Sequence, residues 1–330
     1  MAKVYFDWCR KVVYSTSMKM TALAILLSML GAAEAAPLEF FIMPGTGISP
    51  YETPMVMPDV QALAAAEQAV EQQKQRCEMG MAHTGDVLDA QLDLLYMQAT
   101  LIHGEKSHLL HKWKMFKVAR ERRKWMEARH KKGLCSDWEL YRAQLADAWL
   151  RGRQLSSADA DVSMAQLKRA GDFLVKLANL VENQKLNGQA GKDDELLVEV
   201  AICEVKLAQS WKKPEAREKL RAELLAGYDR LAELMTARER NGFCEADAAE
   251  SAREAARIVR RELALRQPEP TPEKVAALEE RCEIIAAMIP ILPELAKKDR
   301  WLRFDAEVAP RWLERERQKL DSAREKLQKH

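Results

Sequence analysis

Arg76-Cys77-Glu78-Met79-Gly80, Arg129-His130-Lys131-Lys132-Gly133, Gln184-Lys185-Leu186-Asn187-Gly188 and Arg238-Glu239-Arg240-Asn241-Gly242 are four versions of one pentapeptide. Their glycines stand 53, 55 and 54 residues apart, so one supersecondary unit is used repeatedly. Upstream of each glycine, apolar residues recur at helical spacing. Leu167, Ala170, Phe173, Leu174, Leu177 and Val181 form one such stripe; Leu220, Leu224, Tyr228, Leu231 and Met235 form another. Glycine ends a helix because it accepts the left-handed conformation beyond the cap, and a basic last turn suits the negative end of the dipole. A few turn residues follow, and then a new helix start. Ser136-Asp137-Trp138-Glu139 has capping-box spacing, with Thr84, Asp193 and Glu245–Asp247 in comparable places. Second stripes then appear, such as Leu88, Leu92, Leu95 and Ala99, or Leu196, Val200, Cys203 and Leu207. Each unit therefore reads as a helix–turn–helix hairpin with a glycine tip.

The expected fold is all-α. Four hairpins over residues 59–267 form an elongated antiparallel bundle or a solenoid. Gly104, Ser156-Ser157, Pro214 and the prolines at 268, 270 and 272 mark the ends opposite the tips. Residues 268–330 lack a tip motif and read as a helical cap, with two helical stretches split by Pro290 and Pro293. Ahead of the hairpins, residues 36–58 hold five prolines and read as an extended linker.

Residues 1–35 read as a secretory signal peptide. Lys19 precedes an apolar run, Thr21–Ala33, that is too short to span a bilayer, and Ala33-Glu34-Ala35 forms the cleavage site. The expected location is the periplasm or cell envelope, with no span after cleavage. The 330 residues carry 52 Lys+Arg against 50 Asp+Glu. Removing the signal takes four basic and two acidic residues, which leaves 48 of each. A chain without net charge does not point to nucleic acid as its partner. Charged residues are 31% and hydrophobic residues 48%, which excludes both a disordered chain and a multi-span membrane protein. Five cysteines follow the signal: Cys77, Cys135, Cys203, Cys244 and Cys282. They lack Cys-x-x-Cys spacing and read as small buried hydrophobes.

The stretch Val70 to Gly80, continued by Gly85-Asp86-Val87-Leu88-Asp89-Ala90-Gln91-Leu92, resembles the helical tip of outer-membrane efflux proteins of the TolC type. The resemblance covers about 25 residues. It implies that Arg76, Gly80 and Asp86 are tip residues of a periplasmic hairpin that meets an adaptor protein. The inter-unit segments here are short and polar, so no β-barrel is expected.

Two Glu-x-x-His tetrads, Glu105–His108 and Glu127–His130, are spaced as in di-iron bundles. Their histidines lie about 33 Å apart on one helix, so they cannot share a metal. His103, His108 and His111 are interrupted by Gly104 and joined by no carboxylate cluster. The chain contains no phosphate loop, zincin or nucleophile-elbow motif. No catalytic residue, metal or cofactor is expected.

The function read from the sequence is a non-enzymatic, exported scaffold that binds a protein partner of the envelope, with self-association left open. Its binding surface is the row of tips: Arg76, Gly80, Asp86, Arg129, Gly133, Gly188, Arg238 and Gly242. A periplasmic accessory of a TolC-like efflux or secretion assembly is the alternative. A third reading is an anion-binding module. Residues 112–132 hold ten basic side chains against Glu121 and Glu127, and Lys114, Lys117, Arg120, Arg123 and Lys124 are the candidate anion ligands. The bland reading pairs this run with acids such as Glu195, Glu199 or Glu204, and places Trp113 and Trp125 together on a buried stripe.

Overall fold

Runs of Ala, Leu, Glu, Lys and Arg with few interior glycines favour helices over sheet, and helices form the whole regular structure described. The computed structural model describes residues 57–99, 101, 105–154, 160–187, 191–210, 213–244, 246–298 and 302–328. Of the two compact units into which the chain divides, Met1–Phe41 and Ile42–His330, all described residues belong to the second. The expected signal peptide and most of the expected linker lie outside the described residues, as does the tip glycine Gly188.

Among the described residues there are eleven helices and no strand. They are α1 (Val60–Glu78), α2 (Thr84–Ala99), α3 (Glu105–His130), α4 (Asp137–Gln154), α5 (Ala160–Leu186), α6 (Lys192–Gln209), α7 (Pro214–Arg240), α8 (Ala246–Ala264), α9 (Pro272–Met288), α10 (Leu292–Lys298) and α11 (Leu302–Gln328). From α1 to α8 each helix packs mainly on its neighbours in sequence, whereas α9 packs mainly on α11. Short turns between long helices make successive helices antiparallel, so the turns after α1, α3, α5 and α7 fall at one end.

The predicted stripes form the core. Leu88, Leu92, Leu95 and Ala99 of α2 are buried, as are Leu167, Ala170, Leu174, Leu177 and Val181 of α5. Leu224 and Tyr228 of α7 join Val200 and Leu207 of α6 and Ala255, Ala256 and Val259 of α8 in one cluster. Side chains two helices apart therefore share a core, which gives the middle of the array a bundle-like interior.

The C-terminal region departs from the expected two stretches. It holds three helices, because residues 292–298 form the short α10, which includes Pro293. Pro293 sits in its first turn, where its missing N–H removes no helical bond. Pro310 lies inside α11. Helices α9 to α11 build a core from Leu278, Ile284, Ile285, Met288, Leu292 and Leu313, and Leu63 of α1 and Leu101 insert into the same core. Lys298 of α10 pairs with Glu67 of α1 at 2.8 Å, so the two ends of the array meet.

Candidate functional site: the glycine tips and the basic face of α3

The three described tip glycines share one backbone conformation. Gly80, Gly133 and Gly242 have φ of 70°, 69° and 71°. In each tip the residue after glycine donates its N–H to the carbonyl of the arginine five positions back. Met81 bonds Arg76 at 2.8 Å, Leu134 bonds Arg129 at 3.0 Å and Phe243 bonds Arg238 at 2.8 Å. The glycine N–H reaches Cys77, His130 and Glu239 respectively. These paired bonds are a Schellman cap, which satisfies carbonyls that the helix end would otherwise leave open.

The arginine has a second task in two tips. Arg129 Nη2 donates to the Leu134 carbonyl at 2.7 Å, and its guanidinium lies 4.7 Å from the Trp125 ring centroid. Arg238 reaches the Phe243 carbonyl at 3.5 Å and forms an ion pair with Asp193 at the start of α6. Both guanidiniums thus hold their own tips and neighbours. Arg76 of the first tip is exposed. The two cysteines placed two residues past glycine also match: Cys135 donates to Met126 O at 3.5 Å and Cys244 to Met235 O at 3.4 Å.

The helix starts beyond the tips are capped in different ways. Ser136 and Glu139 form the expected box, with Glu139 Oε2 accepting from Ser136 N at 2.8 Å. Thr84 is instead the first helical residue, and Asp86 reaches back to His83 N at 2.7 Å. Asp86 therefore caps α2. Asp193 is not the cap of α6; Gly191 is, with Asp194 accepting its N–H at 2.9 Å.

What the residue types alone did not single out is the position after glycine. Met81, Leu134 and Phe243 are 60%, 58% and 69% exposed. Met79 and Leu186 are also exposed at tip positions. The signal was present as a column of apolar residues directly following three of the four glycines. The tips stand side by side: Gly85 beyond the first packs on Trp125 before the second, and Asp193 beyond the third pairs with Arg238 before the fourth. The array end thus carries a row of exposed apolar side chains.

The basic run on α3 separates into two faces. Arg122 is buried and paired with Asp89 of α2. Arg123 is half-buried, 2.8 Å from both Glu127 and Asp147. Arg123 therefore leaves the set of candidate anion ligands, because its charge is matched inside the fold. Burial pushes the Asp147 carboxyl up, against the opposing pull of Arg123. The expected acidic partners are engaged elsewhere: Glu195 with Lys185, Glu199 with Arg230, and Glu204 with Tyr228. Lys114, Lys117, Arg120, Lys124, Lys131 and Lys132 are exposed. Trp113 is 57% exposed, contrary to the expected buried stripe, and meets Phe116 edge-on at 5.9 Å.

His111 is buried, with Nε2 2.6 Å from the Leu95 carbonyl, and serves packing. Among the described residues no three His, Cys, Asp or Glu side chains stand together as metal ligands. None of the described helices is long and apolar enough to cross a membrane. No family model, curated protein or solved structure matches this chain.

Proposed function

We propose that this chain is a non-enzymatic helical scaffold, exported to the cell envelope, that binds a protein partner through its row of tips. The observation that supports the reading is the exposed apolar residue after each described tip glycine. Exposed single hydrophobes are ordinary, but a repeated row at one end of a rigid array has the character of a contact surface. The caps fix the backbone beneath it, so little conformational freedom is lost when a partner docks. Arg129 and Arg238 act as supports of that surface, and Met81, Leu134 and Phe243 are the groups that touch the partner.

The test replaces the three apolar side chains together, Met81→Ser, Leu134→Ser and Phe243→Ser, in chains used as bait against the envelope fraction of the source cells. The native chain should retain a partner that the variant loses, while both keep the same helical far-UV dichroism. A partner retained equally by both chains overturns the role of the tips. Mass determination of the exported protein checks localisation: it should begin at Ala36 and be absent from the cytoplasmic fraction.

A further inference from the structure

We infer that the exposed face of α3 docks this protein on an anionic lipid bilayer. This site is distinct from the tips and does not rest on their reading. Trp113, Lys117, Arg120 and Lys124 follow one another at steps of four, three and four residues, which places them on one side of the helix, and Lys131 continues the spacing seven residues on, just past the end of α3. The face runs about 27 Å along the axis. All five are exposed, Lys114 flanks them, and Glu121 is the single exposed acid among the described side chains of α3. Of the other cations, Arg122 and Arg123 are matched by Asp89, Glu127 and Asp147 on the buried side, and Arg129 holds the second tip. The fold thus sorts a mixed basic run into an internally neutralised face and an outward positive one.

The chemistry of the outward face favours a lipid surface over a discrete anion or a polyanion. The cations of this face stand in one line along the helix rather than converging on a point, which suits a surface better than a small ligand. Lysines outnumber arginine, and lysine offers a point charge where arginine would offer a fork for bidentate phosphate recognition. Single-stranded nucleic acid would call for several aromatic platforms along the strand. Here there is one exposed ring at one end of the ridge. Trp113 is held outward by its edge contact with Phe116, whose own ring is buried. An amphipathic indole beside a row of lysines suits the headgroup boundary, where lysine ammoniums remain hydrated against anionic lipids. With no described helix able to span a membrane, attachment through this face is peripheral and salt-sensitive.

The test is flotation of the full chain with vesicles of phosphatidylcholine alone or with about 30% phosphatidylglycerol, at about 0.05 M and 0.5 M salt. The chain should float with the anionic vesicles at low salt only. Lys117→Glu, Arg120→Glu and Lys124→Glu together should lower partitioning at least about tenfold, given roughly fivefold per basic residue at such a surface. Reversing Lys219, Lys297 and Lys326, which are exposed on other helices, should lower it far less. Trp113→Ser should weaken binding, and in the native chain brominated lipid should quench fluorescence that this variant lacks. Equal binding to neutral vesicles overturns the proposal. So does equal loss from either set of reversals, or retention of heparin or an oligonucleotide by a chain that leaves anionic vesicles unbound. Matching helical dichroism in all variants confirms that the fold is intact.

Discussion

At the scale of single residues, the tip glycines make a prediction free of packing effects. A Cβ added at Gly80, Gly133 or Gly242 would meet nothing within 4 Å, yet each has φ near +70°. Gly133→Ala should therefore cost about 1–2 kcal/mol through backbone strain alone, and Gly133→Asn less, because asparagine tolerates this region. Denaturant titration of the two variants checks it; an alanine variant as stable as the parent would remove the glycine's conformational role. Gly85 behaves differently. Its substitution would drive a Cβ into the Trp125 ring, so Gly85→Ala should cost about 1–3 kcal/mol through overpacking despite an ordinary φ. The tip glycines were legible because they repeat with an arginine at fixed distance. Gly85 lies in the same stretch as the first tip, but its packing against Trp125 depends on a helix about 40 residues away and leaves no local signal. Cys203 yields a pH prediction. Burial pushes its thiol up to about 11. The folded state thus holds the proton more tightly than the unfolded chain does. This contribution to stability is complete below the ordinary thiol value and is lost as pH rises from there through about 11. At pH 8 the thiolate fraction is about 0.1%, so alkylation of native Cys203 should be slow and rise about tenfold per pH unit up to pH 9. A plateau by pH 8, followed by peptide mass mapping, would contradict the burial argument.

At the scale of helices, partner choice decides how a charged side chain behaves. Glu204 on α6 is buried and accepts the Tyr228 hydroxyl of α7 at 2.7 Å, and Tyr228 is fully enclosed. Its phenol is held well above the usual tyrosine range, first by burial and then by the neighbouring carboxylate. Tyr228→Phe would leave a buried carboxylate without that donor and should destabilise by about 1–3 kcal/mol. The double change Tyr228→Phe with Glu204→Leu should recover much of the loss, since removing both polar partners costs less than orphaning one. A double variant no more stable than Tyr228→Phe alone would show that the pair is not the source. Glu204 looked from the sequence like an acid available to the basic run, because linear spacing gives no indication of which helix a side chain faces. Helix starts were better encoded. The Ser136–Glu139 box closes within four residues, so its whole cause sits in the local sequence. Pro310 shows the converse. Proline removes an interior bond from α11, and only the packing of Leu302, Ala309, Leu313 and Leu320 explains why the helix continues through it.

At the scale of the whole described unit, the ends of the array depend on each other. A repeat period announces neighbours in sequence, but the meeting of α1 with α9 to α11 is made from ordinary apolar residues with no pattern of their own. Leu63 and Leu101 enter the core built by Ile284, Ile285, Met288 and Leu292. The accompanying ion pair, Glu67 to Lys298, is mostly exposed on the lysine side, and such pairs contribute at most about 1 kcal/mol. Closure therefore rests on apolar burial. Lys298→Glu should leave the unfolding midpoint nearly unchanged, whereas Leu63→Ala should cost about 2–5 kcal/mol, as a buried leucine does when its cavity cannot collapse. A chain ending at Gln267 should lose more than the helices it lacks, because Leu63, Leu101 and the partly buried Leu94 and Leu265 would lose their cover. It should bind a hydrophobic dye, self-associate, and show weakened helix protection in α1 by hydrogen exchange. If the shortened chain stays monomeric and α1 exchanges as slowly as in the full chain, the two ends are only neighbours. If α1 loosens while α5 to α7 remain protected, the C-terminal helices serve both as a terminal cover and as the support of the first tip, which would tie the geometry at Gly80 to residues more than 200 positions away.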